Sequence, residues 1–426
     1  MKVIILAGGK GTRISSVAKD IPKPMISICG KPVLERELIN LRNQGFKDFI
    51  ITIGYLGNII KEYFGNGEKF GINIRYFEEE IPLGTGGALT YLKDELTEDF
   101  FVINGDSIMD VDLNRMLNYH KNKKADVTLL THPNEHPYDS ALIIADKKTG
   151  RVSKWLNKEE QRNIYKNRVN AGIQIINPKV IKDLEIGKMD LDRDLLKPII
   201  KKGNVYSYDS SEYIKDMGTP ERYKKVIDDV KNGIVSLKNL RNKQKAIFLD
   251  RDGTLNVYKG FITNYNDIEL IEGVAKAIKK INEMGYLAIV ITNQPVIARG
   301  DCTLEELEKI NNKLETELGL AGAYLDDIFF CPHHPDKGFS GERPEYKIQC
   351  NCRKPNNGLI LQAKEKYNID LSESYMVGDS FVDIELGEKV GCKSVYVGND
   401  DIDVDCLKFN SLFEFVCNEL GKFDKI

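Results

Sequence analysis

The chain has 426 residues, of which 42% are hydrophobic and 29% are charged, and its formal net charge is −3 at pH 7. This length predicts two domains, and the composition excludes a disordered or fibrous class. The small net charge gives no reason to expect nucleic acid or an anionic membrane as a partner. No apolar run could span a bilayer and no signal peptide is recognisable, so we expect a cytoplasmic protein; the oligomeric state, a homo-oligomer included, stays open.

A glycine-rich run follows the first predicted strand, residues 2–7. It contains Gly8, Gly9, Gly11, Thr12 and Arg13. Glycines after a strand let backbone N–H groups approach phosphates closely, although a tight turn has the same composition. Arg13 and, further on, Lys23 add a guanidinium fork and an ammonium group, which together suit a polyphosphate unless both are merely solvated.

Alternating strand and helix patterns continue after residue 33 and predict a parallel sheet with helices on both faces. A second glycine run, Gly84-Thr85-Gly86, precedes a helix and is expected to cradle a base or a phosphate, unless it only caps a loop. The buried strand 100–103 leads to Asp106, which we expect to bind magnesium at the carboxyl edge of the sheet. Asp216 precedes a glycine and a proline, a position that fits an N-terminal turn or a second metal ligand.

These features together resemble the sugar-1-phosphate nucleotidyltransferases. The matching segments, in family order, are 6–13, 23–24, 84–86, 104–106 and 216–220. The resemblance implies that the phosphate of a sugar 1-phosphate attacks the α-phosphorus of a nucleoside triphosphate and that pyrophosphate leaves. Such a reaction depends on alignment and charge neutralisation, because the protein has little covalent chemistry to perform.

The same resemblance implies individual roles. Arg13 would hold the leaving pyrophosphate and Lys23 the reacting phosphates, while Asp106 and Asp216 would bind Mg²⁺. The family's sugar contacts match Asn170 and Gly172. Within the family, the domain looks most like the heptose 1-phosphate guanylyltransferases, which implies GTP as the nucleotide substrate. Lys158 is a weaker candidate for sugar contact, because Trp-Leu-Asn-Lys departs from the family's Phe-x-Glu-Lys pattern.

Two carboxylates follow a buried strand at residues 246–249. Asp250 and Asp252 lie at positions i and i+2, so both side chains face the same side. Two carboxylates this close favour a bound cation or unequal protonation, so one could act as a nucleophile and the other as an acid. The alternative interpretation of this segment is a calcium loop or a polar turn. Three later residues at strand or helix ends support the catalytic interpretation, namely Thr292, Lys354 and Asp379.

This second set of motifs resembles the haloacid dehalogenase superfamily. By that resemblance Asp250 is the nucleophile that forms an aspartyl phosphate, and Asp252 protonates the leaving oxygen and later activates water. Thr292 and Lys354 would stabilise the transferring phosphoryl group. Mg²⁺ would be held by Asp250, by Asp252 through its backbone, and by Asp379.

A cluster of cysteine and histidine residues precedes Lys354. Three thiolates and one imidazole, from Cys331, His333, Cys350 and Cys352, would close a tetrahedral structural zinc site. We favour His333 over the adjacent His334, because Cys331 and His333 fit a Cys-x-His pattern. The one-residue gap between Cys350 and Cys352 is less usual than Cys-x-x-Cys, so the spacing alone leaves zinc open.

This loop resembles that of the heptose 1,7-bisphosphate phosphatases and the related histidinol-phosphate phosphatases. The resemblance implies that the zinc loop shapes the substrate entrance and that Arg353 and Asn293 contribute to substrate binding. Pro295 and Val296 replace the Ser-Gly that the subgroup carries after Gln294. We expect this departure to alter a backbone contact to the substrate.

The sequence therefore predicts an α/β protein with two doubly wound domains. Residues 1–231 are expected to form a Rossmann-like sugar nucleotidyltransferase domain, 232–244 a linker, and 245–426 a haloacid dehalogenase-like phosphatase domain with a zinc loop. The resemblances imply a bifunctional enzyme of GDP-heptose synthesis. One alternative is a mannose or other hexose 1-phosphate nucleotidyltransferase fused to a histidinol-phosphate-type phosphatase. Another is a catalytically dead first domain that only binds a sugar nucleotide, although its motif residues are intact.

Overall fold

The computed structural model describes residues 1–9, 20–338, 340–400 and 402–421. The chain divides into two compact units. The first comprises residues 1–132, 143–156 and 169–239, and the second comprises 133–142, 157–168 and 240–426. Gly11, Thr12 and Arg13 lie outside the described residues.

The predicted domain limits differ from these units in two respects. The predicted linker, residues 232–244, is divided between them, with 232–239 in the first unit and 240–244 in the second. The sequence places residues 133–142 and 157–168 inside the first domain, whereas the structure groups them with the second unit. We call these two segments the arm. The arm packs against a long helix of the second unit, and such long-range packing leaves no local pattern in the sequence.

The first unit is built on a mixed sheet and two small antiparallel ribbons. Its strands are β1 Lys2–Leu6, β2 Ser27–Ile28, β3 Lys31–Pro32, β4 Asp48–Ile53, β5 Asn73–Glu78, β6 Phe100–Asn104, β7 Ser107–Asp110, β8 Val127–His132, β9 Leu142–Ala145, β10 Val152–Leu156, β11 Val169–Ile176, β12 Val205–Asp209 and β13 Tyr213–Asp216. Its helices are α1 Val33–Asn43, α2 Gly57–Phe64, α3 Gly87–Leu92, α4 Leu113–Lys123, α5 Lys197–Ile199, α6 Pro220–Lys231 and α7 Ile234–Leu237.

The central strands of this sheet are parallel, and their carboxyl ends carry the predicted site. The order is β10-β9-β11-β6-β1-β4-β5, with β8 pairing β11 and β12. In β1, Leu6 lies opposite Thr52 of β4 and Asn104 of β6. Because β11 runs antiparallel to β6, the sheet is mixed rather than wholly parallel. The α/β class is confirmed.

Burial explains why the central strands are almost purely apolar. Val3, Ile4 and Ile5 of β1 are fully buried, as are Phe100 and Phe101 of β6. A strand covered by helices on both faces has no solvent side, so it needs apolar residues at successive positions. Strand β6 ends in a polar residue, Asn104, where it reaches the edge of the sheet.

The second unit contains a parallel sheet. Its strands are β14 Ala246–Leu249, β15 Leu287–Asn293, β16 Asp327–Cys331, β17 Tyr375–Gly378, β18 Lys393–Val397 and β19 Leu407–Phe409. Its helices are α8 Val274–Glu283, α9 Val296–Arg299, α10 Leu304–Leu320, α11 Gly358–Tyr367, α12 Phe381–Val390 and α13 Leu412–Asn418.

Strand order fixes where a ligand should bind in this unit. The order is β16-β15-β14-β17-β18-β19, so the direction of winding reverses between β14 and β17. Ligands of open α/β sheets bind beyond the carboxyl ends of the strands at such a reversal. Asp250 follows β14 and Asp379 follows β17, which places both carboxylates at this point.

Neither unit shows a membrane-spanning element in the part of the chain that the structure describes. No helix there combines the length and the apolar character needed to cross a bilayer.

Candidate active sites

Lys23 and Asp106 form an ion pair in the first unit. The Lys23 ammonium lies 2.7 Å from Asp106 Oδ2, and its side chain is 10% exposed against 41% for Asp106. Strand β6 ends at Asn104, and Asp106 follows two residues later, after Gly105, at the carboxyl edge of the sheet. The structure thus brings together a predicted phosphate-binding cation and a predicted magnesium ligand.

Asp216 ends β13, which forms an antiparallel ribbon with β7, the strand that directly follows Asp106. In this ribbon Asp216 is the direct partner of Ser107, the neighbour of Asp106 in the chain. The Asp216 carboxylate accepts hydrogen bonds from the Gly218 N–H at 2.6 Å and from Arg222 Nη1 at 2.9 Å. The sequence reasoning missed Arg222, which lies one turn into α6 and shows no special local signal.

The second glycine run packs tightly against the backbone of residues 187–191. Gly84 has φ +80°, and a Cβ there would lie 2.5 Å from the Met189 carbonyl oxygen. The Gly86 N–H donates to that same oxygen at 2.9 Å, and Thr85 Oγ1 accepts from the Leu191 N–H at 2.9 Å. These glycines are therefore required by backbone packing, and their contact with a nucleotide stays a prediction.

A carboxylate that the sequence reasoning overlooked lies next to Gly8 and to Leu83, the residue before the second glycine run. Glu79 accepts a hydrogen bond from the Leu83 N–H at 3.3 Å, and a Cβ on Gly8 would lie 3.5 Å from its Oε2. Burial raises the pKa of Glu79, and the Leu83 N–H partly offsets this. Its position directly after β5 was the available signal, because Asp106 was recognised by the same criterion.

Asn170 and Gly172 lie at an irregularity in β11. The pairing of β11 with β8 shifts register between Asn170 and Gln174. The Asn170 side chain accepts from the Gly172 N–H at 3.3 Å, and a Cβ on Gly172 would lie 2.3 Å from Asn104 Nδ2. Lys158 belongs to the arm, and its ammonium lies 3.9 Å from Glu159.

A buried lysine joins two carboxylates in the second unit. Lys354 Nζ lies 2.7 Å from Asp250 Oδ1 and 2.6 Å from Asp383 Oδ1. Burial alone would lower the pKa of Lys354, but Asp250 and Asp383 outweigh burial and raise it above the ordinary value of a lysine. Burial, which outweighs the attraction of Lys354, raises the pKa of Asp250 to about 6.

Asp250, Asp379 and Asp383 form a group with the geometry of a cation site. Oxygen atoms of the three carboxylates lie within 4.8 Å of one another. Burial, followed by the charges of Asp250 and Asp383, raises the pKa of Asp379 to about 7. Gly253 has φ +86°, and a Cβ there would lie 1.9 Å from Asp379 Oδ2, so only glycine fits. Crowded carboxylates of this kind fit Mg²⁺.

The side chain of Asp252 lies outside this carboxylate group. Arg251 Nη2 donates to Asp252 Oδ2 at 2.8 Å, Gln294 Nε2 donates to the same oxygen at 2.8 Å, and Asn256 Nδ2 donates to Oδ1 at 3.0 Å. Burial raises the pKa of Asp252, but Arg251 and the hydrogen bonds outweigh burial and hold the pKa below the ordinary value. The sequence reasoning gave Asp252 to the metal through its backbone and did not include Asp383 among the ligands.

Asn293 holds the segment that carries Lys354. Its Nδ2 donates to the Lys354 carbonyl at 3.2 Å, and its Oδ1 accepts from the Lys354 N–H at 2.9 Å. The predicted substrate contact of Asn293 is therefore accompanied by a structural role. Thr292 is buried and accepts from Gln294 Nε2 at 3.0 Å, while Arg353 Nη1 donates to the His333 carbonyl at 3.3 Å.

The structure brings together the four predicted zinc ligands. Cys331 Sγ lies 3.6 Å from Cys350 Sγ and 3.3 Å from Cys352 Sγ, and His333 Nδ1 lies 3.2 Å from Cys352 Sγ. A tetrahedral site with Zn–S bonds of about 2.3 Å has edges of roughly 3.8 Å, whereas a disulfide needs about 2.05 Å between sulfur atoms. The donor set and its spacing fit Zn²⁺.

A Cys350→Ser variant is expected to lose this metal. We expect zinc measured by atomic emission to fall from about one per chain to less than about 0.3, because zinc sites of this class need all four donors. The Tm should fall by at least about 5 °C, since metal binding contributes to folding. A Cys417→Ser variant, changed at a thiol of α13 outside the group, should keep both values. Full zinc in Cys350→Ser would contradict the closed site.

Two family models match the chain. Residues 2–233 match the family described as Nucleotidyl transferase, and residues 351–422 match a family described as HAD-hydrolase-like. A D-glycero-beta-D-manno-heptose-1,7-bisphosphate 7-phosphatase from Haemophilus ducreyi is 41% identical over 152 residues, covering 35% of this chain and 81% of the relative. Its counterpart from Yersinia pestis is 43% identical over 150 residues, with coverages of 35% and 78%.

The first unit has relatives of its own. A mannose-1-phosphate guanyltransferase from Yarrowia lipolytica is 30% identical over 227 residues, covering 52% of this chain and 62% of the relative, which is less than two thirds of it. The crystal structure of HddC from Yersinia pseudotuberculosis is 29% identical and covers 54% of this chain and 99% of that one, with a TM-score of 0.47. The chain therefore belongs to the nucleotidyl transferase family through residues 2–233 and joins that domain to a HAD-like phosphatase domain in one polypeptide.

Proposed function

We propose that the chain is a bifunctional enzyme that makes a nucleotide-activated heptose. The phosphatase domain removes the 7-phosphate of D-glycero-D-manno-heptose 1,7-bisphosphate. The nucleotidyltransferase domain then transfers GMP from GTP to the resulting heptose 1-phosphate. The observation that carries this proposal is a phosphatase domain resembling heptose bisphosphatases in the same chain as a sugar nucleotidyltransferase. The product of one reaction is the substrate of the other.

The phosphatase reaction uses the group around Lys354. Asp250 attacks the phosphorus of the 7-phosphate, and the bond between that phosphorus and the C7 oxygen breaks while Asp252, in its protonated form, gives that oxygen its proton. Water then attacks the aspartyl phosphate with Asp252 as the base, which releases inorganic phosphate and restores Asp250. Lys354 neutralises charge on the phosphoryl group. A bound Mg²⁺, held by Asp250, Asp379 and the Asp252 backbone, would supply further charge neutralisation.

The transferase reaction uses the edge around Asp106. A phosphate oxygen of heptose 1-phosphate attacks the α-phosphorus of GTP, and the bond between the α-phosphorus and the bridging oxygen breaks to release pyrophosphate. Lys23 holds the reacting phosphates, and Arg13 keeps its predicted role with the pyrophosphate. Asp106 and Asp216 would bind Mg²⁺, which would supply neutralisation of the phosphate charge. Asn170 and Gly172 would contact the sugar.

We propose that Glu79 favours guanine over adenine. Guanine presents two adjacent N–H donors on its Watson–Crick edge, and a carboxylate accepts both, whereas adenine has an acceptor where guanine has its ring N–H. Sites built to pair with a substrate N–H strongly reject analogues that lack it.

A Glu79→Gln variant is expected to lose at least about tenfold in its preference for GTP over ATP, measured as kcat/KM for pyrophosphate release. The neighbouring Glu80→Gln, changed at an exposed carboxylate, serves as the control. An unchanged ratio in Glu79→Gln would remove Glu79 from base recognition.

The whole proposal is tested with a panel of substrates. Purified protein is incubated with Mg²⁺ and either anomer of heptose 1,7-bisphosphate, and released phosphate is measured. GTP, ATP, UTP, CTP or dTTP is then added, and products are identified by mass spectrometry. The expected products are inorganic phosphate, pyrophosphate and GDP-heptose. Absence of pyrophosphate with heptose 1-phosphate and every triphosphate would contradict the transferase assignment.

A second candidate is mannose 1-phosphate as the sugar acceptor. It is favoured by the similarity of the first unit to a mannose-1-phosphate guanyltransferase. The same panel separates the two candidates when mannose 1-phosphate competes with heptose 1-phosphate for GTP. A higher kcat/KM for mannose 1-phosphate would support the second candidate.

A further inference from the structure

Asp252 is surrounded by a buried polar network whose centre is Arg251. The Arg251 side chain is fully buried. Its Nε and Nη2 donate to Asp252 Oδ1 at 3.2 and 3.1 Å, and Nη2 also donates to Oδ2 at 2.8 Å. A guanidinium is planar, so a fork of this kind fixes the plane of the carboxylate as well as its distance. The orientation of Asp252 therefore depends on the orientation of Arg251.

The far side of Arg251 is held by helix α10. Arg251 Nη1 donates to Asn311 Oδ1 at 3.1 Å, and Nη2 donates to Gln294 Oε1 at 3.0 Å. Asn311 is itself buried, with 7% of its surface exposed. Because the guanidinium is rigid, the contact with Asn311 sets the angle at which Arg251 presents its other nitrogen atoms to Asp252.

The arm contacts the same helix one turn further on. Glu315 Oε2 accepts from the Asn167 N–H at 2.6 Å and lies 3.7 Å from Arg168 Nη1. Arg168 and Glu315 are 2% and 3% exposed, so this is a buried charge pair. Residues four apart on a helix share a face, which puts Glu315 and Asn311 on the same side of α10.

A second pair of hydrogen bonds joins the arm to α10. Thr316 Oγ1 accepts from the Tyr165 N–H at 3.0 Å and donates to the Tyr165 carbonyl at 3.2 Å. Arg168 Nη2 also donates to the Asp326 carbonyl at 2.7 Å. Burying charged and backbone groups without partners is costly, so these contacts hold α10 in one position.

We propose that Arg251, oriented by Asn311, is a positioning residue that aims Asp252 at the leaving oxygen, and that the arm stabilises this arrangement through Glu315. The proposal rests on the acid role of Asp252 in the proposed phosphatase reaction. A segment that lies within the nucleotidyltransferase sequence is thereby part of the phosphatase machinery.

The test uses the full-length protein and compares two substrates that differ in their leaving group. An alkyl phosphate such as a sugar phosphate needs a proton on its leaving oxygen, whereas 4-nitrophenyl phosphate releases a stable phenolate without one. We expect Asn311→Ala to lower kcat/KM for heptose 1,7-bisphosphate by at least about tenfold, because its leaving oxygen needs a correctly oriented acid. The kcat/KM for 4-nitrophenyl phosphate should fall by less than about twofold, because its leaving group needs no proton. Asn311→Asp, which keeps an acceptor for Arg251, should restore most of the loss.

A variant of the arm contact completes the test. Glu315→Gln keeps an acceptor for Asn167 but removes the charge facing Arg168, and we expect a loss of about threefold or more that is again confined to the alkyl phosphate. Glu308→Gln, at an exposed position of α10, is the control and should keep both rates. Equal losses on both substrates, or no loss in Asn311→Ala, would overturn the proposal, as would failure of Asn311→Asp to recover activity.

The test distinguishes failure of the proposed positioning role from failure of the proposed substrate assignment. If the wild-type protein hydrolyses 4-nitrophenyl phosphate but not heptose 1,7-bisphosphate, the substrate assignment fails, and fructose 1,6-bisphosphate replaces it as the alkyl phosphate. The comparison of alkyl and aryl leaving groups then still decides whether Arg251 and Asn311 aim Asp252. Pyrophosphate release by the transferase domain, measured in every variant, reports whether the chain has stayed folded.

Discussion

An Asp250→Asn variant of the full chain will lose phosphatase activity by at least about 10³-fold, because an amide cannot form the covalent phosphoryl intermediate. The change is close to isosteric and replaces a carboxylate whose pKa burial raises to about 6. Removing that charge relieves crowding with Asp379 and Asp383, so the Tm should stay the same or rise. Phosphate release from heptose 1,7-bisphosphate measures the activity, and calorimetry measures the Tm.

The control for Asp250→Asn makes the same chemical change at Asp267, an exposed carboxylate of the second unit. Asp267→Asn should keep full activity. Pyrophosphate release by the first domain should be unchanged in both variants, which distinguishes loss of the nucleophile from loss of the fold. If Asp250→Asn retained more than about a tenth of the wild-type rate, Asp250 would not be the nucleophile.

An Asp106→Asn variant will lose transferase activity by about 10²–10³-fold. A metal that neutralises phosphate charge stabilises the transition state by several kcal/mol, and each 1.36 kcal/mol is about tenfold in rate. Asp106 also pairs with Lys23 at 2.7 Å, so the change also weakens the hold on the Lys23 ammonium. The measurement is pyrophosphate release at an Mg²⁺ concentration that saturates the wild-type protein.

The phosphatase rate is the internal reference for Asp106→Asn and should equal that of the wild type. Asp94→Asn, at an exposed position of the first unit, is the matched variant and should have no effect on either rate. Partial recovery of Asp106→Asn at raised Mg²⁺ would agree with a weakened metal site. A transferase rate within about threefold of the wild type would exclude Asp106 as a ligand.

Local patterns were sufficient to predict the fold class and the strand-end carboxylates. Asp106, Asp250 and Asp379 each follow a short apolar strand, and the structure places each just beyond one. The reason is geometric, since a buried parallel strand must be apolar along its length and can carry polar groups only where it ends. The Cys/His group was recognisable because thiol and imidazole donors are chemically distinctive.

Partners of those residues could not be predicted in the same way. The sequence predicts Asp250 and Lys354 as site residues, but only the structure shows that Lys354 joins Asp250 to Asp383. Likewise, Asn293 was expected to bind substrate, and the structure adds its two hydrogen bonds to the backbone of Lys354. The hydrogen-bonding capacity of an amide is visible in a sequence, whereas its choice of partner is not.

The sequence by itself determined that this chain joins two α/β domains with the residues for two kinds of phosphate chemistry, because strand periodicity and donor type are local properties. Only the tertiary structure decided that the arm belongs with the second unit and reaches the helix that orients Arg251. The Tyr165 and Thr316 that form one of these contacts are 151 residues apart. A contact over that separation depends on how whole elements pack, and no short stretch of sequence records it.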